Sequence, residues 1–226
     1  MMGRPEQPLL EFDLRDDRAL ALREVAVSRE TTDLLDRLVA MLVPAAQKTN
    51  LIARSTIPTV WTRHIADSLQ LVALAPNAKT WVDLGSGAGF PGLVIACALA
   101  GTKGAEVHLV ESTGKKAAFL REVATALELP ARVHNVRIED FVKNFNGKPD
   151  VVCARALAAL DKLLHLALPL LTTGALGLFH KGQDVEAELT EASKYWNIDA
   201  DLIPSKTSDQ GRIVVVRKLA PRHLRM

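Results

Sequence analysis

The pattern of hydrophobic and polar positions changes near residue 76. Before that point apolar residues recur at three- and four-residue steps, which predicts amphipathic helices, the first of them over 17–48. The apolar positions of this first stretch are Leu34, Leu35, Leu38, Leu42 and Val43. Polar residues fill the positions between them, so we expect one face of the helix to be buried.

Three residues are expected to set the ends of these helices. Ser28 is the predicted N-cap within the first helical stretch, and Pro44 is expected to bend or end that helix. Pro58 is predicted to open a second amphipathic helix that continues to about Val72, because proline is favourable at a first helical position. We therefore predict a helical extension over 17–75, preceded by a disordered segment over 1–16.

From residue 80 onward, short apolar strands alternate with helical stretches. The predicted strands are 80–84, 107–110, 132–136, 151–154 and 175–179, followed by 198–203 and 213–216 without a helix between them. Continuously apolar strands separated by helices predict a mostly parallel sheet covered on both faces. The last two strands, joined by the polar turn 205–211, predict a hairpin. The predicted fold class is therefore α/β over 76–220, a mostly parallel sheet of seven strands with a C-terminal antiparallel hairpin. This order of elements resembles the Rossmann-like sheet of class I methyltransferases more than that of a dinucleotide dehydrogenase.

Length and composition limit the architecture and the partners. The chain has 226 residues, of which 48% are hydrophobic and 24% charged. This is enough for one α/β core and a modest extension, and too little for two full-sized domains. A formal net charge of +2 permits a nucleic-acid partner without requiring one.

The cysteines and the apolar segments bear on the cellular setting. Cys97 and Cys153 both lie in apolar runs, so we predict neither a disulfide framework nor a metal site, and a cytoplasmic location. The first 17 residues contain no apolar stretch typical of a secretory signal. The longest apolar segment, 154–171, is interrupted by charged residues and a proline, so no membrane span is predicted.

The richest motif lies between the first strand and the first helix of the sheet. Asp83, Gly85, Gly87 and Gly89 form the pattern D-x-G-x-G-x-G, which resembles motif I of class I methyltransferases. Glycines there let the backbone turn sharply and let a ligand approach it closely. Gly87 to Gly92 also satisfies the dinucleotide pattern G-x-G-x-x-G, so NAD binding and a purely structural loop stay open on the residues alone.

Two later strand ends extend the predicted ligand site. Glu111 follows the second strand about 20 residues after the glycines, where an acid can accept both ribose hydroxyls of a nucleoside. Ile138 follows the third strand and is expected to give an apolar edge to an adenine, although 138–141 could simply start a helix. A surface carboxylate is the alternative for Glu111, which in any case does not distinguish adenosylmethionine from NAD.

Several further strings together resemble one family. They are Asn50-Leu-Ile, Arg63-His-Ile-Ala-Asp-Ser, Gly85-Ser-Gly-Ala-Gly-Phe-Pro-Gly, Ser112-Thr-Gly-Lys-Lys with Phe119-Leu-Arg, Arg137-Ile-Glu-Asp-Phe, Ala154-Arg-Ala and His180-Lys-Gly-Gln. In this order and spacing the chain resembles the bacterial glucose-inhibited division protein B family, from about Leu34 to Lys218. The resemblance implies an S-adenosylmethionine-dependent methyltransferase that modifies N7 of one guanine, guanine-527, in the decoding region of 16S ribosomal RNA.

The resemblance also implies site residues. The family's donor site corresponds to Gly85, Phe90, Ile138, Glu139 and Arg155 of this chain. Together with the motif itself, the predicted cofactor-binding set is Asp83, Gly85, Gly87, Gly89, Phe90, Glu111, Ile138, Glu139 and Arg155. The family often has Lys-Arg at the positions where this chain has two lysines, 115 and 116, and arginine and lysine differ in how they contact a phosphate.

The implied reaction needs little acid–base chemistry. Guanine N7 has a free lone pair and carries no proton, so alignment of the reactants can supply most of the catalysis. Arg155, at the end of the fourth strand, is the predicted catalytic residue, either in the donor site or orienting the guanine, with a surface salt bridge as the alternative. Cys153 is expected to be a structural thiol rather than a nucleophile.

Positive charge around the crevice is expected to bind the RNA. The predicted contacts are Arg63, His64, Lys115, Lys116, Arg137 and Lys181, with Arg54 as a further candidate. Trp61 and Phe90 are the aromatic candidates for holding an unstacked guanine. For Trp61 core packing is favoured over contact with the guanine, and for His64 a structural role is favoured over contact with the RNA.

The partner expected from the resemblance is 16S ribosomal RNA or the 30S particle, with the protein acting as a monomer. Two other functions stay open on the sequence alone. One is a methyltransferase of the same fold acting on a small molecule or a protein, and the other is a donor-binding regulatory module without activity.

Overall fold

A computed structural model describes residues 12–222, which form one sheet flanked by helices. The α-helices are α1 (Arg15–Glu24), α2 (Arg29–Lys48), α3 (Asp67–Leu74), α4 (Gly92–Leu99), α5 (Gly114–Ala126), α6 (Ile138–Asn144), α7 (Leu160–Leu171) and α8 (Val185–Ala192). The strands are β1 (Thr80–Leu84), β2 (Glu106–Val110), β3 (Ala131–His134), β4 (Val151–Arg155), β5 (Leu176–Lys181), β6 (Trp196–Pro204) and β7 (Arg212–Pro221).

The seven strands form one sheet in the order β3-β2-β1-β4-β5-β7-β6. The first five strands are parallel, and β7 pairs antiparallel with both β5 and β6. The chain leaves β1 for β2 on one side and later crosses to β4 on the other. Ligands of open α/β sheets bind at the carboxyl ends of the strands where the order reverses in this way. The predicted mostly parallel sheet and its C-terminal hairpin are confirmed.

The strands are apolar on both faces because helices cover both. Val82 and Leu84 of β1 point to one face, where they join a core built on α6, α7 and α8. Trp81 points to the other face, where the core includes α2, α4 and α5. Successive side chains of a strand alternate between faces, so a five-residue strand contributes to both cores. This two-sided burial fixes the carboxyl end of β1 between two packed layers.

The predicted first helical stretch is divided into two helices. Val25 adopts an extended conformation that ends α1, and Ser28 then caps α2, since its side chain accepts a 3.1 Å hydrogen bond from Thr31 N. The predicted N-cap is confirmed. Pro44 lies inside α2, which continues to Lys48. The expected end at Pro44 is therefore not observed, because the buried apolar face of α2 holds the helix together across it.

The second predicted helix is built from three consecutive helical segments. A 3-10 segment (Arg54–Thr59) contains Pro58, a π-helical segment (Trp61–Ala66) follows, and α3 completes it. Asp17 of α1 stabilises the start of the π segment by accepting a 2.7 Å hydrogen bond from Trp61 N. A π segment widens the helix locally and is often found at functional sites. Here it carries the Arg63-His64 pair.

The ends of the chain differ from prediction in two places. Of the segment 1–16 that we expect to be disordered, 1–11 lies outside the described residues, while Phe12 and Leu14 pack against the core and α1 begins at Arg15. The closing hairpin is longer than predicted, since β6 begins at Trp196 and β7 ends at Pro221. Within 12–222 no helix is long and apolar enough to cross a membrane.

Candidate active site

A cavity of about 450 Å³ opens at the carboxyl ends of β1, β2 and β4. Its walls come from the loops after these strands, from the start of α6 and α7, and from the loop before the 3-10 segment. The lining residues are Leu51, Ile52, Gly85, Ser86, Gly87, Ala88, Phe90, Val110, Glu111, Ser112, Lys116, Val136, Arg137, Ile138, Glu139, Arg155, Ala156, Leu157, Ala158, Lys162 and Leu166. Seven of the nine predicted cofactor residues are among them.

The glycine loop forms one wall of the cavity with its backbone. Gly85 N and Ser86 N both donate to Val110 O, at 2.9 and 3.0 Å, which ties the loop to the end of β2. Gly85, Gly87 and Gly89 have φ values of +73°, +58° and +100°. Residues other than glycine rarely adopt these conformations, so the three glycines are required by the shape of the loop. Gly89 itself lies outside the lining.

Asp83, a predicted cofactor residue, lies behind the loop and not in the cavity wall. Its side chain is fully buried, and Oδ2 accepts a 3.0 Å hydrogen bond from Gly92 N. Burial raises the pKa of Asp83 to about 7. Asp83 therefore holds the start of α4 against β1. Gly92 fits there because it lacks a side chain: a Cβ at this position would lie 2.6 Å from Asp83 Oδ2.

Glu111 links the glycine loop to the chain after β2. Its Oε2 accepts a 2.9 Å hydrogen bond from Gly87 N, and its Oε1 accepts a 2.7 Å bond from Thr113 N. The side chain is largely buried, and the part that remains exposed lines the cavity. Two backbone donors thus hold the carboxylate in one orientation at the position predicted for a ribose contact.

The start of α6 forms the wall opposite the glycine loop. Ile138 and Glu139 are its first two residues and both line the cavity, as the sequence predicts. Arg137 occupies the N-cap position and lies exposed on the rim. The alternative that 138–141 starts a helix is also realised, because one turn both starts α6 and borders the cavity.

Arg155 ends β4 and is held by several contacts. Its Nη1 donates to Arg63 O at 3.0 Å and lies 3.4 Å from Asp67 Oδ2. The guanidinium lies over the Phe90 ring, 5.1 Å from the ring centre, which is within the range of a cation–π contact. Burial lowers the pKa of Arg155, and the carboxylate of Asp67 opposes this shift. Arg155 lines the cavity and is not part of an exposed surface salt bridge.

His64 packs behind the cavity and makes contacts different from those predicted. Its ring stacks on Phe90 with 4.8 Å between ring centres, and Nε2 lies 3.2 Å from Thr56 Oγ1. Burial, reinforced by the charges of Arg155 and Arg63, lowers the pKa of His64 to about 3. The residue is 7% exposed and does not line the cavity, so we assign it a structural role in place of the RNA contact.

The other predicted RNA contacts fall into three groups. Lys116 and Arg137 line the cavity, whereas Arg63 and Lys115 are exposed outside its lining. Lys181 is engaged elsewhere: its ammonium lies 2.5 Å from Glu188 Oε2 and donates to Ala158 O at 2.9 Å. This pairing holds α8 and the loop after β4, so we assign Lys181 a structural role.

Trp61, one of the two aromatic candidates for the guanine, lies in the core. It is 2% exposed, and its ring packs under the guanidinium of Arg18 at 5.3 Å. Phe90 does line the cavity, with His64 stacked on it. Of the two candidates, only Phe90 borders the cavity.

Two further charged residues at or beside the cavity were not predicted. Lys162, near the start of α7, is exposed and lines the cavity together with Lys116 and Arg137. No motif distinguishes this lysine from other helix lysines. Asp67 contacts Arg155 from α3. Its place in the string Arg63-His-Ile-Ala-Asp-Ser was the signal that could have indicated it.

Most of the chain matches one known family. Residues 31–213 match the family model described as rRNA small subunit methyltransferase G, named GidB. The chain belongs to this family. Family membership confirms the predicted resemblance and S-adenosylmethionine as the cofactor. The cofactor expected for the chain is therefore S-adenosylmethionine and not NAD.

Curated relatives agree with the family model over most of the chain. A ribosomal RNA small subunit methyltransferase G from Bradyrhizobium sp. (strain BTAi1) is 58% identical over 200 residues, covering 88% of this chain and 90% of the relative. A protein of the same name from Nitrobacter hamburgensis is 54% identical over 221 residues, covering 98% of this chain and 85% of the relative.

Solved structures share the fold at low sequence identity. Cofactor-bound Rv0187 from MTB matches with a TM-score of 0.60 and 14% identity, covering 94% of this chain and 99% of that one. An O-methyltransferase from Bacillus cereus in complex with SAH matches with a TM-score of 0.59 and 14% identity, covering 91% and 100%. These matches confirm the class I methyltransferase fold.

Proposed function

We propose that the protein transfers the methyl group of S-adenosylmethionine to N7 of one guanine in 16S ribosomal RNA, at the position guanine-527 implied by the family resemblance. The observation that supports this most is the composition of a single cavity. The cavity brings together the glycine-loop backbone, the oriented carboxylate of Glu111 and the guanidinium of Arg155, and its rim carries exposed basic residues. The first two features suit a nucleoside donor, and the basic rim suits RNA.

The residues present fit the donor. A volume of about 450 Å³ lies within the usual range of about 300–1,000 Å³ for small-molecule sites. Glu111 would accept the ribose hydroxyls, since it already accepts two backbone N–H groups that fix its oxygens. Ile138 would border the adenine, and the glycine loop would let the donor approach the backbone. Phe90 and Arg155 also line the cavity and would contact the remainder of the donor.

In this reaction the side chains of the cavity have to align the donor and the guanine, and none of them has to remove a proton. When bound, the donor supplies a methyl group on a positively charged sulfonium. Because guanine N7 carries a lone pair and no proton, no residue has to remove a proton. His64 is not available to do so, because both ring nitrogens make contacts with Arg155 and Thr56. Positioning by a preformed site can contribute several kcal/mol.

RNA would be held at the rim by three basic side chains. Lys116, Arg137 and Lys162 line the cavity from α5, the α6 N-cap and α7. Phosphate contacts of this kind give affinity and register without sequence choice. The target guanine must leave its stack to reach the cavity, and Phe90 is the aromatic side chain placed to contact it.

The test is methyl transfer with a labelled donor. Tritiated S-adenosylmethionine is incubated with 16S RNA and with 30S particles from a strain lacking the endogenous enzyme, and the label is assigned by nucleoside analysis. We expect 7-methylguanosine at a single site. The Arg155→Ala variant, assayed at equal concentration, is the control for transfer by a contaminating enzyme.

The same experiment separates the alternatives. Label in another nucleoside would show that the methyl group is transferred to an atom other than guanine N7. Absence of label from every RNA, with normal donor binding by the purified protein, would favour a small-molecule or protein substrate or a binding-only role. Comparison of naked RNA with 30S particles identifies which of the two is the partner. With ribosomal RNA as its substrate, the protein is expected in the bacterial cytoplasm. Size-exclusion chromatography with light scattering tests the expected monomer.

A further inference from the structure

The carboxylate of Asp67 lies where α3, β4 and the turn between β6 and β7 meet. Its Oδ1 accepts a hydrogen bond from Thr207 Oγ1 at 2.9 Å and another from Gln70 Nε2 at 3.2 Å. A third, longer bond of 3.4 Å comes from Ser205 Oγ. One oxygen of Asp67 is therefore committed to the β6–β7 turn and to its own helix.

The second oxygen faces the cationic side of the site. Asp67 Oδ2 lies 3.4 Å from Arg155 Nη1 and 3.6 Å from His180 Nε2. The His180 nitrogen donates to Asp67 O at 2.9 Å, because a carbonyl oxygen can only accept. Only 17% of the Arg155 side chain and 15% of the Asp67 side chain are exposed. The Arg155–Asp67 pair is thus shielded from water, where an ion pair is screened less.

Each oxygen of Asp67 faces one donor that cannot accept a hydrogen bond in return. Lys206 N donates to Gln70 Oε1 at 2.7 Å, which leaves Gln70 Nε2 to donate to Asp67 Oδ1. Arg155 has no acceptor atom. An amide at position 67 would place an N–H group against either Gln70 Nε2 or Arg155 Nη1. The geometry therefore favours a carboxylate over an amide of the same shape at position 67.

We propose that Asp67 is a positioning residue, which holds the guanidinium of Arg155 against Phe90 at the wall of the donor cavity. The inference rests on the proposed function, because it assigns Arg155 to donor binding and transfer. Arg63 O and Nδ1 of His64 fix the plane of the guanidinium, while Asp67 supplies the balancing charge. Removing that charge leaves a buried cation unpaired, which favours a different side-chain position for Arg155.

A double-mutant cycle tests this role. Asp67→Asn is made in the wild-type protein and in the Arg155→Ala variant, and two quantities are measured. The first is the dissociation constant for S-adenosylmethionine by calorimetry, and the second is kcat/KM for methyl transfer. We expect Asp67→Asn to change each by about fivefold or more when Arg155 is present, and by less than about twofold when it is absent, as for coupled contacting residues.

The matched control is Asp150→Asn. Asp150 precedes β4, and its Oδ2 accepts hydrogen bonds from Lys79 N and Thr80 N. This contact lies at the amino ends of the strands, whereas the cavity lies at their carboxyl ends. The same chemical change there should leave both quantities at the wild-type value. Thermal unfolding of all variants is recorded so that a fall in the fraction of folded protein is corrected for.

Two results would overturn the proposal: no effect of Asp67→Asn in the presence of Arg155, or an equal effect in its absence. If Asp67→Asn does not fold, Thr207→Val takes its place in the cycle, because it removes the shortest hydrogen bond that orients the carboxylate. The calorimetric arm uses no RNA. It therefore tests the positioning role even if no RNA accepts a methyl group and the proposed function fails.

Discussion

The Nδ1 atom of His64 lies 2.6 Å from Nη2 of Arg155. A guanidinium only donates hydrogen bonds, so Nδ1 must be the acceptor and the ring must be neutral. The remaining hydrogen is then on Nε2, which lies 3.2 Å from Thr56 Oγ1. The low pKa of His64 agrees with this arrangement. A helix of the N-terminal extension therefore helps to build a wall of the cavity in the sheet domain.

Replacing Arg155 with alanine tests the centre of this arrangement. Arg155→Ala should lower methyl transfer to 30S particles by at least about tenfold, the scale expected when one oriented electrostatic group is removed from an active site. The protein should stay folded, because the substitution leaves the apolar cores on both faces of the sheet unchanged. Transfer is measured with tritiated donor and folding by circular dichroism. Wild-type turnover would remove Arg155 from the site.

The sheet could be predicted because its signals are local. Each central strand is a short apolar run bounded by glycines, prolines or polar residues, so the predicted and observed bounds of β1 coincide at 80–84. The hairpin was predicted too short because β6 does not form such a continuous apolar run. Alternate residues of β6 are exposed at the sheet edge, and a register shift at Asp199 and Ala200 breaks its pattern.

The contacts between distant segments could not be predicted in the same way. The sequence places Arg155 at a strand end, but it does not show that Asp67 and His64, some 90 residues earlier, would contact it. Nor does it show that Lys181 would pair with Glu188. Side-chain direction depends on how the helices pack, so residue type alone indicated charge near the crevice without showing which cations face it.

The carboxylate of Glu111 is expected to control donor affinity. Glu111→Gln replaces one acceptor oxygen with an N–H group, so one of the two backbone donors, Gly87 N or Thr113 N, loses its partner. We expect the dissociation constant for S-adenosylmethionine to rise about tenfold or more, since hydrogen bonds to charged groups contribute about 1.5–3 kcal/mol. Calorimetry measures this. The control is Glu122→Gln on the exposed side of α5, and an equal change there would contradict the assignment.

The backbone conformation of the glycine loop provides a third test. Gly87→Val should abolish donor binding, because the residue lines the cavity and has a φ of +58°, which β-branched residues rarely adopt. A Cβ alone would meet only Gly85 O, at 3.8 Å, so strain and intrusion into the cavity cause the effect. Gly101→Val is the control, since a Cβ there meets nothing within 4 Å. Unchanged donor affinity in Gly87→Val would refute the pocket assignment.

The buried carboxyl of Asp83 makes a prediction about pH. Its pKa is about 7 in the folded protein and about 3.8 unfolded, so between these values the folded state binds more protons. This group's contribution to stability is therefore fully present below about pH 4 and is lost as the pH rises through 7. An asparagine side chain does not titrate, so Asp83→Asn should gain stability relative to wild type over this range, by more than about 1 kcal/mol.

Urea unfolding at several pH values between about 4.5 and 8 measures this difference. His64 changes stability in the opposite direction, because its pKa is lowered, but it is present in both proteins and cancels from the comparison. A difference in unfolding free energy between Asp83→Asn and wild type that does not depend on pH would show that the carboxyl titrates normally.

The basic rim should govern RNA affinity and leave donor affinity largely unchanged. Arg137→Ala removes an exposed cation at the α6 N-cap, beside the cavity. If this side chain contacts a phosphate, the slope of log K against log salt should fall by about 1, with weaker binding to every RNA sequence. Lys148→Ala is the control, because this exposed lysine precedes β4 and so lies near the amino ends of the strands, away from the cavity. An equal decrease of the slope in both variants would mean that the RNA senses the protein's overall charge and not a surface around the cavity.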